Sequence, residues 1–418
     1  MKVLIKSARI ICPSSPYNGK TLDILIENGI ISKIDKDINV KADKVIEADN
    51  LHVSQGWTDC FANFSDPGYE HKETLQTGAN AAASGGFTSV AIIPNTNPVI
   101  DNKSQVEYIT RNGKNLPVTI YPIGALTKKA EGKELSEMYD MNQSGAIAFS
   151  DGISPLQSSG IMLKALQYVK AFNGLIIQLP DDRSINPGGL INEGITSTRL
   201  GLPGKPAIAE ELSIARDIEL VKYTDSRIHF TGVSTNRSVE LIAEAKKDGL
   251  NVTCSVTPYH LFFHDEDLTS YDTNLKVNPP LRTKEDMLAL REGVKNGTID
   301  FIASHHLPHE WDSKTCEFEY AKYGMIGLES MFGVVTACGI NLEHFIKMQT
   351  DNINTILNIN NNGLAEGAST NFTLFDPTFE YAFTPENIHS KSKNSPFIGK
   401  SLKGKVIGVI NSNQMFLN

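Results

Sequence analysis

Hydrophobic and polar residues follow two different patterns along the chain. In residues 2–50, short runs alternate between apolar and polar positions, and Asn28-Gly29 lies between two such runs as a hairpin signal. This part of the sequence predicts a small β unit. After Gly56, short apolar runs alternate with helical patterns of ten or more residues. That alternation is typical of repeated β-α units built around a parallel sheet.

The central region contains eight apolar runs that predict eight strands. The predicted strands cover residues 59–64, 88–93, 118–125, 146–149, 175–179, 228–233, 252–256 and 299–304. Helical patterns lie between them, for example at residues 73–84, 161–171, 209–222, 238–247 and 284–295, and several place apolar residues at i, i+3 and i+4. Eight such units predict a (β/α)8 barrel of the TIM type, which we assign to residues 53–365.

The C-terminal part of the chain returns to a β pattern. Residues 371–376 and 406–410 are apolar runs separated by glycine and proline. Because residues 1–52 also predict strands, we expect residues 1–52 and 366–418 to form one small β-sandwich. The predicted fold class is therefore α/β, with a (β/α)8 barrel and a β-sandwich contributed by both chain ends.

Composition and charge exclude several classes of protein. The chain has 40% hydrophobic and 21% charged residues, as in ordinary globular proteins. Its net charge of −9 disfavours a general role in binding nucleic acid or anionic membranes. An anionic substrate would need a local basic pocket.

The cysteines and the N-terminus indicate the compartment. The five cysteines are few, odd in number and without CxxC spacing, so neither a disulfide framework nor a thiolate zinc site is indicated. The N-terminal residues do not form a signal-peptide core, and no run of about 18 apolar residues occurs. These features predict a cytoplasmic protein.

In a barrel of this type, function is found at the carboxyl ends of the strands and in the loops that follow them. The segments around these ends resemble, in the same order, those of the dihydroorotases of the cyclic amidohydrolase superfamily. The matching segments are PGYEHKETLQTGANAAASGGFTSV, IIPNTNPVID, INEGITSTRLGLPGKPAIAEELSIARDIEL, HFTGVST, KVNPPLR and GMIGLE. The resemblance implies a metal-bearing barrel that interconverts carbamoyl aspartate and dihydroorotate in pyrimidine biosynthesis. In such a site zinc activates a water molecule and polarises the carbonyl that it attacks.

The sequence departs from the family at the metal site. Where the family has ligand histidines, this chain has Phe61, Asn63, Gln178 and Gly232, and the family's catalytic aspartate is replaced by His305. Asp151 matches the bridging carboxylate in one form of the family. A phenyl ring and a glycine offer no donor, and zinc seldom takes a neutral amide oxygen. We therefore expect no family-type metal centre, and zinc only if the protein is active.

Some positions that bind substrate in the family are kept. Asn95, Asn278 and His309 match positions that contact dihydroorotate, and Arg282 closes the Asn278 motif. The family's carboxylate-binding arginine is replaced by Ser65, which removes a bidentate clamp. We expect dihydroorotate or carbamoyl aspartate to bind weakly at best. The same motifs also shape loops through proline and side-chain hydrogen bonds, so their presence does not by itself indicate binding.

Other interpretations of the same residues stay open at this point. One is a rebuilt metal site. Another is metal-free catalysis by His305 as general base, with Asp151 orienting it and Ser65 or Ser150 as nucleophile. Cys60 is a further candidate nucleophile, although a packed core cysteine is the more common outcome. The acidic pair Asp181-Asp182 is interpreted as solvated loop charge. The rebuilt metal site would draw on His305, His306, His309, Asp151, His260, His264 and Asp265.

The sequence favours a dihydroorotase-like protein that has kept the fold and lost the metal chemistry. Its expected role is that of a structural or regulatory subunit, and the resemblance suggests aspartate transcarbamoylase as a partner; a homodimer is a further expectation. The alternative is an active dihydroorotase or related cyclic amidase with a rebuilt zinc site. A third hypothesis is a sensor that binds the family's substrates without turnover. We expect no nucleic-acid or membrane partner.

Overall fold

The computed structural model of the protein describes residues 1–360 and 363–418. Its strands, in chain order, are β1 (Lys2–Ile10), β2 (Thr21–Glu27), β3 (Ile30–Asp35), β4 (Lys44–Ile46), β5 (His52–Gln55), β6 (Trp57–Ala62), β7 (Phe87–Ile92), β8 (Thr119–Gly124), β9 (Ala148–Phe149), β10 (Ile176–Gln178), β11 (Ile191–Asn192), β12 (Gly204–Lys205), β13 (Ile228–Phe230), β14 (Val252–Val256), β15 (Phe301–Ile302), β16 (Asn371–Ala382), β17 (Ser401–Asn411) and β18 (Gln414–Leu417).

The helices follow the same numbering. In chain order they are α1 (Leu75–Ser84), α2 (Lys103–Asn112), α3 (Met138–Gln143), α4 (Ser159–Lys170), α5 (Ile195–Leu200), α6 (Ile208–Thr224), α7 (Asn236–Lys247), α8 (Pro258–Phe262), α9 (Lys284–Lys295), α10 (Met331–Ala337), α11 (Leu342–Lys347) and α12 (Ile353–Leu357). A π-helical turn, Met348–Asn352, joins α11 to α12.

Eight parallel strands form the barrel in the order β6-β7-β8-β9-β10-β13-β14-β15. Each of the eight predicted strands overlaps one of them, and the five helices named as examples correspond to α1, α4, α6, α7 and α9. The prediction of a (β/α)8 barrel is confirmed. Polar side chains complete the ring between β6 and β15.

Asp59 makes the main contact across that junction. Its carboxylate accepts hydrogen bonds from the Ser304 amide at 2.7 Å and the Ser304 hydroxyl at 2.6 Å. Nearby, the backbone N–H of Asn63 donates to the backbone carbonyl of His306 at 2.8 Å. Asp59 is fully buried, and burial raises the pKa of its carboxyl to about 7. These contacts fix the end of the first strand against the segment that follows the eighth.

Both chain ends enter one mixed sheet, as predicted. Its strand order is β18-β17-β16-β5-β1-β2-β3, and β4 pairs with β1. The strand β5 spans the predicted boundary at residue 52 and pairs with both β1 and β16. The sheet has its own apolar core, in which Val3, Ile5 and Ile24 pack with Phe372 and Leu374.

An aromatic cluster joins the barrel to the terminal sheet. Trp57, at the start of β6, packs against Phe87, Phe332, Phe345 and Phe375, with ring centroids between 4.9 and 6.3 Å apart. Phe375 belongs to β16, so the cluster links the first barrel strand to the C-terminal sheet.

Across the described chain, no helix is long and apolar enough to cross a membrane.

Candidate functional site

The mouth of the barrel is occupied by two stacked rings. Phe61 in β6 and His305, just after β15, stack with ring centroids 4.5 Å apart and planes inclined by 29°. Phe61 is fully buried and His305 is 2% exposed. Both have a positive φ, 72° for Phe61 and 44° for His305, which is uncommon for residues other than glycine. Two residues at predicted ligand and catalytic positions therefore pack against each other.

A buried chain of hydrogen bonds runs from His305 into the barrel. The Nε2 of His305 lies 2.7 Å from the Thr231 hydroxyl, which accepts a hydrogen bond from Ser255 Oγ at 3.0 Å. Ser255 Oγ in turn lies 2.9 Å from Nε2 of His229. Burial lowers the pKa of His305 to about 3 and lowers the pKa of His229 well below its ordinary value. Both rings are neutral at physiological pH.

Gly232 and His305 occupy complementary space. A Cβ placed on Gly232 would lie 2.7 Å from His305 Cε1, and the residue has a φ of +71°. A histidine at this position, as the family resemblance implies, would therefore overlap the ring of His305. The glycine at 232 leaves room for the histidine at 305, whereas a histidine at 232 would not.

The remaining predicted ligand positions have internal partners. Asn63 Oδ1 accepts a hydrogen bond from the Ser65 amide at 2.7 Å, and Gln178 Nε2 donates to the Leu156 carbonyl at 3.3 Å. Asp151 accepts hydrogen bonds from the amide and the hydroxyl of Thr127, at 2.8 and 2.6 Å. Burial raises the pKa of the Asp151 carboxyl to about 6.

These residues do not fit the zinc centre that the family resemblance implies. Phe61 and Gly232 provide no donor atom, and Phe61 places an apolar ring where a dication would need polar ligands. Within residues 1–360 and 363–418, no group of three histidine, cysteine, aspartate or glutamate side chains could hold a metal ion.

The histidines proposed for a rebuilt metal site do not converge. His306 Nε2 lies 3.4 Å from Glu73 Oε2, and His309 Nε2 lies 2.9 Å from the Tyr323 carbonyl. His260 Nε2 contacts the Pro279 and Pro280 carbonyls at 3.2 Å. The carboxylate of Asp265 accepts a hydrogen bond from Asn192 at 2.9 Å. Each of these four side chains is directed to its own local partner.

The arrangement for metal-free catalysis is also not formed. Asp151 is paired with Thr127 and His305 with Thr231, so the carboxylate does not orient the imidazole. Cys60 is fully buried, and burial raises the pKa of its thiol well above the ordinary value. A protonated, inaccessible thiol is a packing group and not a nucleophile.

The predicted substrate-binding residues lie in three different settings. Asn95 accepts a hydrogen bond from the Ile153 amide at 3.0 Å and donates to the Asp151 carbonyl at 3.1 Å, which ties it to the loop after β9. His309 is held by Tyr323, and burial lowers the pKa of its ring to about 4. Asn278 lines a cavity beside the barrel mouth.

This cavity has a volume of about 370 Å³. Leu179 forms part of its wall, and Leu179 Cδ1 would lie 3.4 Å from a Cβ on Gly232, so the cavity is adjacent to one of the positions where the family has a ligand histidine. Its polar lining includes Asp181, Arg183 and Lys205 from the long connection after β10. The apolar and aromatic lining includes Ile153, Ile185, Leu307, Tyr259 and Tyr323.

Lys205 is the central cation of the cavity. Its Nζ donates to Asp181 Oδ2 at 2.7 Å and to Asn278 Oδ1 at 2.8 Å. The side chains of Lys205 and Asp181 are 12% and 4% exposed. Burial lowers the pKa of Lys205, and the Asp181 carboxylate opposes that shift. The interpretation of Asp181 as a solvated loop charge is wrong, because its carboxylate forms a buried ion pair.

Arg282 of the Asn278 motif has a structural role. Its guanidinium donates to Ser234 Oγ at 3.1 Å and to the Lys205 carbonyl at 2.9 Å, and lies 3.8 Å from the Glu210 carboxylate. Arg282 is 3% exposed. It fixes the backbone of Lys205 and hence the position of the cavity's cation.

Sequence reasoning missed Lys205 and Arg183 as residues of the cavity. Both lie in a connection rich in glycine and proline, where motif comparison drew attention to the segment but not to its charges. The available signal was the isolated lysine in the segment GLPGKPAI, since a local basic pocket had been recognised as a requirement for an anionic ligand.

Comparison with known proteins gives a consistent result. A family model of dihydro-orotase-like proteins matches residues 54–238. A dihydroorotase from Acetivibrio thermocellus is 42% identical over 410 residues, covering 97% of this chain and 96% of its own. A dihydroorotase from Syntrophus aciditrophicus is 40% identical and covers 97% of both chains. The L-hydantoinase (dihydropyrimidinase) from Arthrobacter aurescens has a similar structure, with a TM-score of 0.86 at 22% identity over 100% of this chain and 96% of its own.

Proposed function

Because the chain belongs to the dihydroorotase family, we propose that it is a non-catalytic member that acts as a structural or regulatory subunit in pyrimidine biosynthesis. The observation that carries this proposal is the packing of Phe61 against His305 at the barrel mouth, with ring centroids 4.5 Å apart. The ring of Phe61 takes the position that the family resemblance gives to a histidine ligand.

The family's reaction needs an activated water molecule or a polarised carbonyl, which zinc provides. In this chain the ligand positions contain a phenyl ring, a glycine and two amides, and the catalytic aspartate position contains a buried histidine. The pKa of that histidine is lowered to about 3, and its Nε2 is engaged by the Thr231 hydroxyl. These features support the loss of both the metal and the proton-transfer group.

The preserved fold supports a role that does not depend on catalysis. The chain matches dihydroorotases over 97% of its length and keeps the barrel, its closure and the terminal sheet. A chain without catalytic function would keep this architecture if other proteins bind its surface. We propose aspartate transcarbamoylase, which makes carbamoyl aspartate, as the partner.

Complex formation tests the role as a subunit. Purified protein and the transcarbamoylase of the same organism are mixed and analysed by size-exclusion chromatography with light scattering. The proposal predicts one co-eluting species with a defined mass ratio, absent when an unrelated transcarbamoylase is used. Separate elution of the two proteins at micromolar concentrations would contradict it.

Zinc binding tests the loss of the metal centre separately. The protein is incubated with zinc, passed through a desalting column and analysed for metal, beside an intact dihydroorotase treated in the same way. The proposal predicts zinc in the intact enzyme and only background zinc in this protein. Stoichiometric zinc retained by this protein would contradict it.

A further inference from the structure

We propose that the loop at residues 310–324 is a docking site for a partner protein whose surface combines an apolar pocket with basic residues around it. This segment, called the aromatic loop below, follows β15 at the carboxyl rim of the barrel. The inference rests on the proposed role as a subunit and deepens it, because it names the surface that the partner contacts and the chemistry of that partner.

The aromatic loop exposes two large rings. Trp311 is 74% exposed and Tyr320 is 76% exposed. The Lys322 backbone N–H donates to the Ser313 carbonyl at 3.1 Å, and each ring lies two residues before one end of this bond. The two side chains therefore start from neighbouring backbone segments of one protrusion. Tryptophan and tyrosine are among the residues that most often dominate the binding energy of protein interfaces.

Two buried lysines hold the backbone of the aromatic loop. Lys314 is 8% exposed, and its Nζ donates to the carbonyls of Lys322 and Gly324 at 2.8 and 2.9 Å. Lys276 is 2% exposed, and its Nζ donates to the carbonyls of residues 318–319 at 2.7 and 2.9 Å. A loop that is already held in place loses little conformational entropy when a partner binds.

The charges around the two rings select a basic partner. Asp312, Glu317 and Glu319 are exposed, and Lys322 is the exposed base of the same loop. The exposed side chains of the aromatic loop thus carry three carboxylates and one ammonium, a net charge of −2. Charged groups at the edge of an interface steer the partner and fix its orientation when the two potentials are of opposite sign.

The same charges disfavour the other possible occupants. A second copy of this chain that bound through the same surface would bring its own acidic loop against this one, and like charges repel. Nucleic acids and anionic membranes are also negatively charged. A basic protein surface is the occupant that fits both the rings and the carboxylates.

The place of the aromatic loop agrees with a non-catalytic role. The loop begins shortly after His305, whose ring packs against Phe61 at the barrel mouth. Barrel enzymes use the loops at this rim for substrate binding and catalysis. In a barrel without catalysis, a partner that covers this rim blocks no reaction.

Binding kinetics of aromatic variants test the contribution of the rings. The full-length protein is passed over immobilised transcarbamoylase of the same organism. Trp311→Ala and Tyr320→Ala should each weaken binding by about tenfold or more, mainly through faster dissociation. Tyr223→Ala is the matched control, because it removes a ring of the same exposure, 76%, from α6 and should leave the affinity unchanged.

A second pair of variants tests the contribution of the charges. One variant neutralises the three exposed carboxylates of the aromatic loop and should slow association by about threefold to tenfold at low salt, with a smaller effect at about 0.5 M salt. The control variant neutralises three exposed carboxylates outside the loop and should leave the association rate unchanged. The loop variant is Asp312→Asn/Glu317→Gln/Glu319→Gln, and the control variant is Glu219→Gln/Asp248→Asn/Glu285→Gln.

The outcomes separate this inference from the proposed function. A wild-type complex that both folded aromatic variants form with unchanged affinity would overturn the docking site and leave the role as a subunit standing. No wild-type complex would overturn both. Light scattering of the protein alone tests the second copy, and a dimer that dissociates in Trp311→Ala would overturn the proposal by assigning the loop to self-association. Circular dichroism and urea unfolding establish that the variants are folded.

Discussion

A Cβ on Gly232 would lie 2.7 Å from Cε1 of His305, so the absence of a side chain at residue 232 makes room for the imidazole at 305. In the family pattern the same two positions carry a histidine ligand and a catalytic aspartate. The two replacements form one packed arrangement together with Phe61, whose ring stacks on His305. The side chains at these positions therefore pack together as part of the barrel core.

This relationship predicts the effect of adding a methyl group at residue 232. Gly232→Ala should lower the free energy of unfolding by about 2–4 kcal/mol, because the Cβ meets the His305 ring and the residue has a positive φ. Gly249→Ala is the matched control, since its φ of +79° is similar but no atom lies within 4 Å of its Cβ. It should cost about 1 kcal/mol. Urea unfolding measures both values, and equal losses would contradict the packing argument.

Burial of His305 predicts a pH dependence of stability. The folded protein keeps the ring neutral because its pKa is about 3, whereas the unfolded chain binds a proton below about 6.5. The stabilising contribution is therefore present above about pH 6.5 and is lost as the pH falls toward 3. Between about pH 6 and 4.5, the free energy of unfolding should fall more steeply in the wild type than in His305→Gln, by about 1 kcal/mol per pH unit.

Denaturant unfolding at several pH values measures this difference. The other buried histidines titrate in both proteins, so the difference between the two slopes reports residue 305 alone. Identical slopes would mean that His305 is accessible to protons in the folded protein.

The buried pair of Lys205 and Asp181 predicts a large effect on stability. Lys205→Met should lower the free energy of unfolding by about 3–5 kcal/mol, because it leaves the Asp181 carboxylate buried without its cation. Adding Asp181→Asn should recover part of that loss. Lys222→Met, at an exposed position, should change stability by less than about 0.5 kcal/mol. Thermal and denaturant unfolding check these values, and a loss below about 1 kcal/mol for Lys205→Met would show that the pair is solvated.

Placing the family's residues at the replaced positions should create a zinc site. The variant Phe61→His/Asn63→His/Gln178→His/Gly232→His/His305→Asp should retain zinc after desalting. The four-substitution variant that keeps His305 should not, because the new histidine at residue 232 would overlap the His305 ring. Metal analysis of folded samples distinguishes the two. Zinc retained equally by both variants, or by neither, would contradict the assignment of the loss to these side chains.

The barrel was predictable because its signal is local and repeated. Each barrel strand from β6 to β15 coincides with an apolar run, and several of the helices compared place apolar residues at i, i+3 and i+4. The terminal sheet was predictable for the same reason, because both ends of the chain contain the short apolar runs that are typical of strands. Strand bounds were less certain where a strand has only two residues, as in β9 and β15.

The loss of ligand side chains could be predicted from residue types alone, whereas the arrangement that replaces them could not. Nothing in the sequence indicates that His305 stacks on Phe61 or reaches Thr231, because these residues meet only across the barrel. Asp181 was misinterpreted for a related reason. Acidic pairs in loops are usually solvated, and its partner Lys205 lies 24 positions further along the chain.

Ring opening of dihydroorotate by purified protein, with and without added zinc, tests most directly whether the packed barrel mouth has dihydroorotase activity. Any activity must be followed through two successive columns to show that it belongs to this protein. We expect no turnover above the buffer control in either condition. Zinc-dependent turnover that co-purifies with the protein and disappears in His305→Ala would contradict it.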